Sequence, residues 1–352
     1  MLHRRVAFDV AILGHGRFGA ALADLAEDAG LVVRALDPSA EVPAARRAES
    51  LESLVTGAPL VVLAVPVPAM PGALAAMRPH LRADQLVMDV GSVKVLPTEA
   101  MRAALGDAIP WIATHPLFGP TSLALAERPL RVVLCPSAHP GATARARAFY
   151  ERLGCWTIEQ DAHAHDKAMA ETHALAFFVA KGMLDAGVDT RVPFAPPSFQ
   201  AIARTVDVVR GDAGHLFAAI CADNPHAGEA RQRLLDAMRA VDDALRAPRH
   251  DAITIAPDAP ARPSPTTEEL RETRSRIDEL DREIVTLLGR RAELSRRAMK
   301  AKQRAGMPLH DPDREAALLG SRRAMAEESA IDPESVEDVF RAILRFSRRV
   351  QG

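Results

Sequence analysis

Three groups of residues in this 352-residue chain have types and spacings suited to chemistry. The first is His115, which closes the short apolar run Trp111 to Ala113 and leads into Pro116-Leu117-Phe118-Gly119-Pro120. Imidazole titrates close to neutral pH, so a histidine at a strand end can accept a proton in a reaction; the plainer alternative is a structural histidine bonded to backbone. The second group is Gly14-His15-Gly16-Arg17-Phe18-Gly19, set between the apolar run Phe8 to Leu13 and the helical stretch Ala20 to Ala29. The third is Arg291 with Lys302, two cations sharing one face of a long C-terminal helix.

A strand that runs into G-x-G-x-x-G and then a helix is built to cradle a pyrophosphate. Gly14 makes the tight turn, Gly16 lets the backbone approach the phosphates, Gly19 allows helix and strand to pack, and the helix N–H groups face the anion. The next apolar run, Leu31 to Leu36, ends in Asp37, 23 residues after Gly14. A carboxylate there accepts hydrogen bonds from an adenine-ribose diol and repels a 2′-phosphate, so the spacing predicts NAD in preference to NADP. The alternative is a glycine turn beside a solvated aspartate.

These residues need a scaffold, and the chain supplies one. Leu60 to Val65 and Leu86 to Val90 are further buried-strand candidates, each followed by a turn and a helical stretch, as a doubly wound parallel sheet requires. Ligands of such sheets collect at the carboxyl ends of the strands, where Gly91-Ser92-Val93-Lys94 and Thr114-His115 fall. Ser92 reads either as a hydrogen-bond partner of the imidazole or nicotinamide, or as a helix N-cap. Lys94 reads as a contact to an anionic substrate or as an exposed helix lysine. Arg131 to Cys135 and Cys155 to Ile158 close the same domain. From Asp161 only helical periodicity remains, and Arg204 and Arg210 there are carboxylate-binding candidates or parts of a solvated face. The proline-rich stretch 256–266 reads as a linker.

Beyond it, Leu270, Ile277, Ile284 and Ala298 repeat every seven residues, with Leu280, Leu287, Leu294 and Ala301 as the second set, on one helix from about Glu268 to Arg304. Arg291 interrupts the seam, which is costly unless an anion meets it. Lys302 lies eleven residues on, roughly 16 Å along the axis, so both cations can close around one small dianion. Asp311-Pro312 and Asp332-Pro333 open two more helices with an aspartate cap and proline at the first position. Arg314, Glu315, Ser347 and Gln351 sit on these helices, with a surface role as the default reading of each.

Composition narrows the field. With 48% hydrophobic residues the chain can bury cores, and a net charge of -2 with 4% aromatics gives no footprint for nucleic acid or an anionic membrane. Three widely spaced cysteines indicate neither a disulfide framework nor a metal site, and together with the lack of an export signal they predict a cytoplasmic protein.

At this point the residues resemble two families. The first 250 or so residues resemble prephenate dehydrogenase, on the glycine loop with Asp37, Ala64-Val65-Pro66-Val67, Asp89-Val90-Gly91-Ser92-Val93-Lys94, His115-Pro116-Leu117-Phe118-Gly119 and a helical part opening near His165-Asp166. The last 85 or so resemble the all-helical chorismate mutase, with Arg274, Arg291, Lys302, Asp311, Arg314, Glu315, Ser347 and Gln351 at that family's active-site spacings without a gap. In the familiar enteric fusion of the two activities the mutase comes first; here the order is reversed.

The resemblance implies an α/β Rossmann-type doubly wound parallel sheet at 6–160, an all-α dimerisation and substrate domain at 161–255, the linker at 256–266 and a three-helix mutase domain at 267–352. It implies a bifunctional enzyme of tyrosine biosynthesis, taking chorismate to prephenate and prephenate to 4-hydroxyphenylpyruvate. His115 would be the base, oriented by Ser92. Gly14, His15, Gly16, Arg17, Phe18, Gly19, Asp37 and Val65 would hold NAD. Lys94 would contact substrate, and the family's substrate-binding arginine, whose position holds Val208 here, is carried to Arg204 one turn earlier. In the mutase, Arg274 and Arg291 would bind the two carboxylates, Lys302 and Gln351 the ether oxygen, and Glu315 with the Asp311 backbone the ring hydroxyl; Arg314 and Ser347 would complete the pocket. Arg274 and Arg291 are 17 residues apart on one helix, roughly 25 Å, which predicts a pocket shared by two chains and an obligate homodimer. Competing readings are a dehydrogenase for arogenate or 4-amino-4-deoxyprephenate, and a ligand-sensing regulator without chemistry.

Overall fold

The computed structural model describes residues 8–124, 129–211, 215–246, 265–308, 311–329 and 331–351. The chain divides into two compact units, one formed by Met1–Pro120 with Pro129–Ile253 and the other by Thr121–Arg128 with Thr254–Gly352. The sheet and the helices after residue 161 fall in the same unit. The expected linker at 256–266 lies outside the described residues except for its last two, which begin a helix.

The first unit is built on seven strands: β1 (Val10–Leu13), β2 (Val33–Leu36), β3 (Leu60–Leu63), β4 (Leu86–Asp89), β5 (Trp111–Pro116), β6 (Leu130–Cys135) and β7 (Cys155–Glu159). They form one sheet in the order β2-β1-β3-β4-β5-β6-β7. All neighbours are parallel except β5 and β6, so the doubly wound sheet expected from the sequence holds through β5 and its last two strands run the other way. β1, β3 and β4 read Val-Ala-Ile-Leu, Leu-Val-Val-Leu and Leu-Val-Met-Asp and are buried along their length, as strands covered on both faces must be. The covering helices are α1 (Arg17–Asp28), α2 (Leu51–Thr56), α3 (Met70–Met77), α4 (Val95–Leu105) and, beyond the short α5 (Pro120–Ala124), α6 (Ala142–Arg152).

The remaining helices of this unit are α7 (Ala162–Met169), a π-helical turn (Ala170–Ala174), α8 (Leu175–Asp185), α9 (Pro197–Arg210), α10 (His215–Cys221) and α11 (Ala227–Arg246). They bury their own core, in which Ala174, Phe177, Val206 and Ile220 are at most 5% exposed. Asp161 caps α7 by accepting hydrogen bonds from the His163 and Ala164 N–H groups.

The second unit contains α12 (Pro265–Arg304), α13 (Pro312–Glu328) and α14 (Pro333–Gln351). Both aspartate caps form: Asp311 accepts from the Arg314 N–H at 3.0 Å and Asp332 from the Ser335 N–H at 2.8 Å. Along α12 the heptad residues Ile277, Leu280, Ile284, Leu287 and Leu294 are each about half exposed (46 to 58%). Among the described residues no helix is long and apolar enough to cross a membrane.

A buried charge pair holds the carboxyl ends of β4 and β5 together. The Lys94 ammonium donates to Asp89 Oδ2 and to the Thr114 carbonyl, both at 2.5 Å, with both charged side chains at zero exposure. Removing one member of such a pair strands the other, which costs about 3–5 kcal/mol, whereas replacing both with apolar residues can be neutral. Lys94→Met should therefore lower stability by about that amount, and adding Asp89→Asn, which removes the stranded charge and keeps an acceptor for the Thr114 N–H, should recover part of it. Trp111 and Trp156, the chain's two tryptophans, both lie in this unit, so their fluorescence in a urea titration reads the effect there.

Candidate functional site

The glycine loop joins β1 to α1 as its sequence predicts. Gly14 has φ of +102°, and a Cβ there would stand 2.3 Å from the Ala64 carbonyl oxygen. A Cβ at Gly19 would stand 2.2 Å from the Gly14 oxygen, so these two positions close the turn onto the Ala64-Val65 backbone after β3. Gly16 differs: nothing lies within 4 Å of its would-be Cβ, and it is the N-cap of α1. That is open space at the amino end of a helix, where an anion is favoured.

Asp37, just after β2, accepts from the His15 N–H at 2.6 Å, from Ser39 at 2.7 Å and from Ala40 at 2.8 Å. Burial raises its pKa, but the N–H groups of Ala40, Ser39 and His15 outweigh that, and the carboxyl is held below its usual value. The His15 ring contacts the Glu41 carbonyl through Nδ1 at 3.2 Å, while its Nε2 is buried with no partner among the described residues. An orphaned ring nitrogen, an open glycine and a fixed carboxylate around one loop fit a dinucleotide. Arg17 at the start of α1 donates to the Gly211 carbonyl at 2.8 Å, and the Phe18 ring packs 6.0 Å from Phe118.

His115 lies at the end of β5 and is 3% exposed. Burial holds its pKa well below the ordinary value, with the charges of His165, Lys94 and His173 acting the same way, so the ring is neutral at pH 7. Its Nδ1 meets His165 Nε2 at 2.8 Å, and His165 Nδ1 meets Asp166 Oδ1 at 2.8 Å. Asp166 also accepts the backbone N–H of Lys94 (2.7 Å, Oδ1) and of Val95 (2.9 Å, Oδ2), and Asn224 Nδ2 donates to its carbonyl at 2.7 Å. Beneath the histidine, Asp89 Oδ1 accepts the Thr114 N–H at 3.0 Å, and Thr114 Oγ1 is bonded to the Asp89 carbonyl and to the Tyr150 hydroxyl. Burial pushes the Asp89 carboxyl up against the opposing pull of Lys94.

Two sequence expectations change here. Lys94 is neither an exposed helix lysine nor open to substrate, because its ammonium is fully buried and spent on Asp89 and Thr114. Ser92 is not the cap of α4, a position Lys94 occupies, and among the described residues the hydrogen bond that orients the imidazole comes from His165 and not from Ser92. Arg204 and Val208 are both exposed on α9, and Arg210 is engaged by Asp207 at 2.7 Å. The sequence marks His165 and Asp166 only as the opening of the helical part, and nothing local marks Tyr150; a His-Asp pair near the start of a helix is the signal that points to the first two.

In the second unit Arg291 donates to Ser347 Oγ, which donates in turn to the Ile343 carbonyl at 2.9 Å. Burial and the nearby charge of Arg322 both lower the Arg291 pKa. The two arginines line a cavity of about 420 Å³ with Met325, Ile331, Val336 and Phe340. Glu315 is paired with Arg348 at 3.3 Å. Lys302 is partly buried, while Arg314 and Arg274 are exposed, and Arg274 is well removed from Arg291 along α12. The Gln351 side chain lies outside the described residues.

Residues 39–158 match the family described as prephenate dehydrogenase, nucleotide-binding domain, and residues 273–352 match chorismate mutase type II. The T-protein of Haemophilus influenzae is 42% identical over 80 residues, which are 23% of this chain and 21% of that protein. The 4-amino-4-deoxyprephenate dehydrogenase of Streptomyces pristinaespiralis is 31% identical over 189 residues, 51% of this chain and 62% of the relative. The chain thus spans less than two thirds of the length of either relative. The crystal structure of prephenate dehydrogenase from Aquifex aeolicus, in complex with hydroxyphenyl propionate and NAD+, superposes with a TM-score of 0.55 at 16% identity, over 77% of this chain and 98% of that one, a likeness of fold.

The open space at Gly16 makes a specific prediction. Gly16→Val should leave the unfolding free energy of the first unit within about 0.5 kcal/mol of wild type, as surface substitutions do, yet weaken binding of a nicotinamide dinucleotide at least about tenfold by filling the place of the phosphates. Calorimetric titration with NAD reads the second effect; unchanged affinity would remove the loop from the binding site.

Proposed function

We propose that this chain, which joins a prephenate dehydrogenase nucleotide-binding segment to a chorismate mutase type II segment, rearranges chorismate to prephenate and oxidatively decarboxylates prephenate to 4-hydroxyphenylpyruvate, as a bifunctional enzyme of tyrosine biosynthesis. The observation that carries it is His115: a neutral imidazole at the carboxyl edge of the nucleotide sheet, held by Nδ1 so that Nε2 is left for a substrate. Its buried, unbridged cysteines suit a cytoplasmic setting.

In the dehydrogenase, Gly14, His15, Gly16, Arg17, Phe18, Gly19, Asp37 and Val65 would hold NAD, and Asp37, kept ionised, favours it over NADP by repelling a 2′-phosphate. Bound NAD supplies the hydride acceptor for the hydroxyl-bearing ring carbon. His115 takes the hydroxyl proton at Nε2, carbon dioxide leaves the opposite ring carbon with its electron pair returned to the ring, and aromatisation makes the step irreversible. Ser92, partly buried at the mouth of the same edge, is available to the nicotinamide, and Arg204 to a substrate carboxylate. The absence of an arginine at Val208 favours one second reading, a substrate bearing an amine, such as arogenate or 4-amino-4-deoxyprephenate.

In the mutase the ether oxygen gains negative charge as its bond breaks, so fixed donors serve and no base is needed. Arg291 and Arg274 would bind the carboxylates, Lys302 and Gln351 the ether oxygen, and Glu315 with the Asp311 backbone the hydroxyl, with Arg314 and Ser347 completing the pocket. The half-exposed seam of α12 supports a homodimer in which each pocket takes Arg274 from the second copy.

Two experiments test this reading. Chorismate and NAD added to the pure protein should give NADH and 4-hydroxyphenylpyruvate with no other enzyme present, NADP should react far more slowly, and His115→Ala should lose about 10²- to 10⁴-fold in dehydrogenase turnover with mutase rate unchanged. Faster NADH formation from arogenate or 4-amino-4-deoxyprephenate than from prephenate would shift the assignment to the amine-bearing substrate. Mixing inactive Arg274→Ala and Arg291→Ala chains under subunit exchange should restore mutase activity toward a quarter to a half of wild type, because a mixed dimer has one intact pocket. An active, strictly monomeric protein in sedimentation would rule out the shared pocket.

A further inference from the structure

A general base buried in protein must present its lone pair to the substrate, and an imidazole has two nitrogens to choose from. The hydrogen bonds around His115 make that choice. Both oxygens of Asp166 already accept backbone N–H groups, from Lys94 and Val95 at the start of α4, so its contact with His165 Nδ1 is donated by the ring. With its proton on Nδ1, His165 presents a lone pair at Nε2. It therefore accepts the 2.8 Å hydrogen bond from His115 Nδ1–H, and the His115 lone pair is left at Nε2.

We propose that His165, held by Asp166, is a positioning residue that fixes the reactive tautomer of His115 and stabilises the imidazolium formed when His115 takes its proton. The relay is buried throughout, with His165 at 2% and Asp166 at 0% exposure. It is anchored on three sides: by the amino end of α4, by Asn224 ahead of α11 and by the Asp161 cap of α7. The rings of His115 and His165 meet in a T-shaped arrangement, 5.0 Å between centroids and 78° apart, so His165 cannot turn away without opening that packing. A charged His115 donates a stronger bond to His165 than a neutral one, which favours the protonated form. Burial, Lys94 and His173 act in the opposite direction, as does the charge of His165 when that ring is itself protonated, so the stabilisation comes from the hydrogen bond alone.

This inference rests on His115 as the base proposed above, and its test separates the two. His165→Phe removes the acceptor and keeps a ring of similar size; His165→Gln can place an amide oxygen near the lost nitrogen. His165→Phe should lower dehydrogenase kcat by about 10²-fold, the lower range for loss of general-base function, and move the acid limb of kcat/KM for prephenate to lower pH, while His165→Gln stays within about tenfold with an unmoved limb. NAD affinity and mutase rate should not change in either. A packing role would lower both variants alike and leave the limb in place, which would overturn the proposal. Independently of turnover, 15N spectra of histidine-labelled protein should show His115 protonated at Nδ1 in the wild type and at Nε2 in His165→Phe. Protonation at Nε2 in the wild type would also overturn it. Wild-type protein that fails to oxidise prephenate but shows the Nδ1 tautomer would refute the dehydrogenase reading and leave the relay standing.

Discussion

The candidate site of the first unit depends on one ammonium group. Lys94 Nζ, with no exposure to water, reaches the carboxylate at the end of β4 and the carbonyl one residue before His115 at the end of β5. An isolated charge in that place would be prohibitively costly, so lysine, Asp89 and Thr114 stand or fall together. The same residue's backbone N–H holds Asp166, which lies 72 positions further along the chain. One residue thus pins the ends of two strands and the first helix of the helical part, and His115 sits where those constraints meet. That is why its imidazole can be both buried and aimed.

The nucleotide loop works by the opposite principle. At Gly14 and Gly19 the backbone packs so closely that a methyl group would collide with carbonyl oxygens, whereas at Gly16 the same absence of a side chain leaves a space. Two glycines make the turn and the third leaves the door open. Asp37 follows suit: three backbone N–H groups fix its carboxylate without neutralising it, so its charge remains available at the edge of that space.

Much of this is legible in the sequence because it is local. Strand, glycine loop, helix and a carboxylate after the next strand are all neighbours along the chain, and the Asp-Pro caps of α13 and α14 are read from adjacent residues. The heptads of α12 are legible for the same reason. Lys94 is not legible in this way because burial is a tertiary property: a lysine at the head of an amphipathic helix looks solvated until Asp89 and Thr114 are brought to it from the ends of two strands. Ser92 and His165 illustrate the same limit. A serine two residues before Lys94 is the natural local partner for a strand-end histidine, but the partner that the fold delivers comes from fifty residues away. The reversal of β6 leaves no mark on an apolar run, because a buried strand has the same composition whichever way it points.

The second unit shows a tension that its proposed chemistry resolves. Arg291 stands in a largely apolar cavity beside Arg322, whose guanidinium lies 5.4 Å above the Phe340 ring. Burial and the like charge both weaken Arg291's hold on its proton, and Ser347, a neutral hydroxyl, offers no countercharge. Two guanidinium groups thus share a largely apolar cavity, an arrangement that suits the anionic substrate proposed above. The exposed seam of α12 makes the matching point for apolar surface: five large side chains on one stripe are left for another helix to cover. The homodimer proposed above would meet both deficits together, since the copy covering the seam would also bring its own Arg274 toward the pocket that holds Arg291.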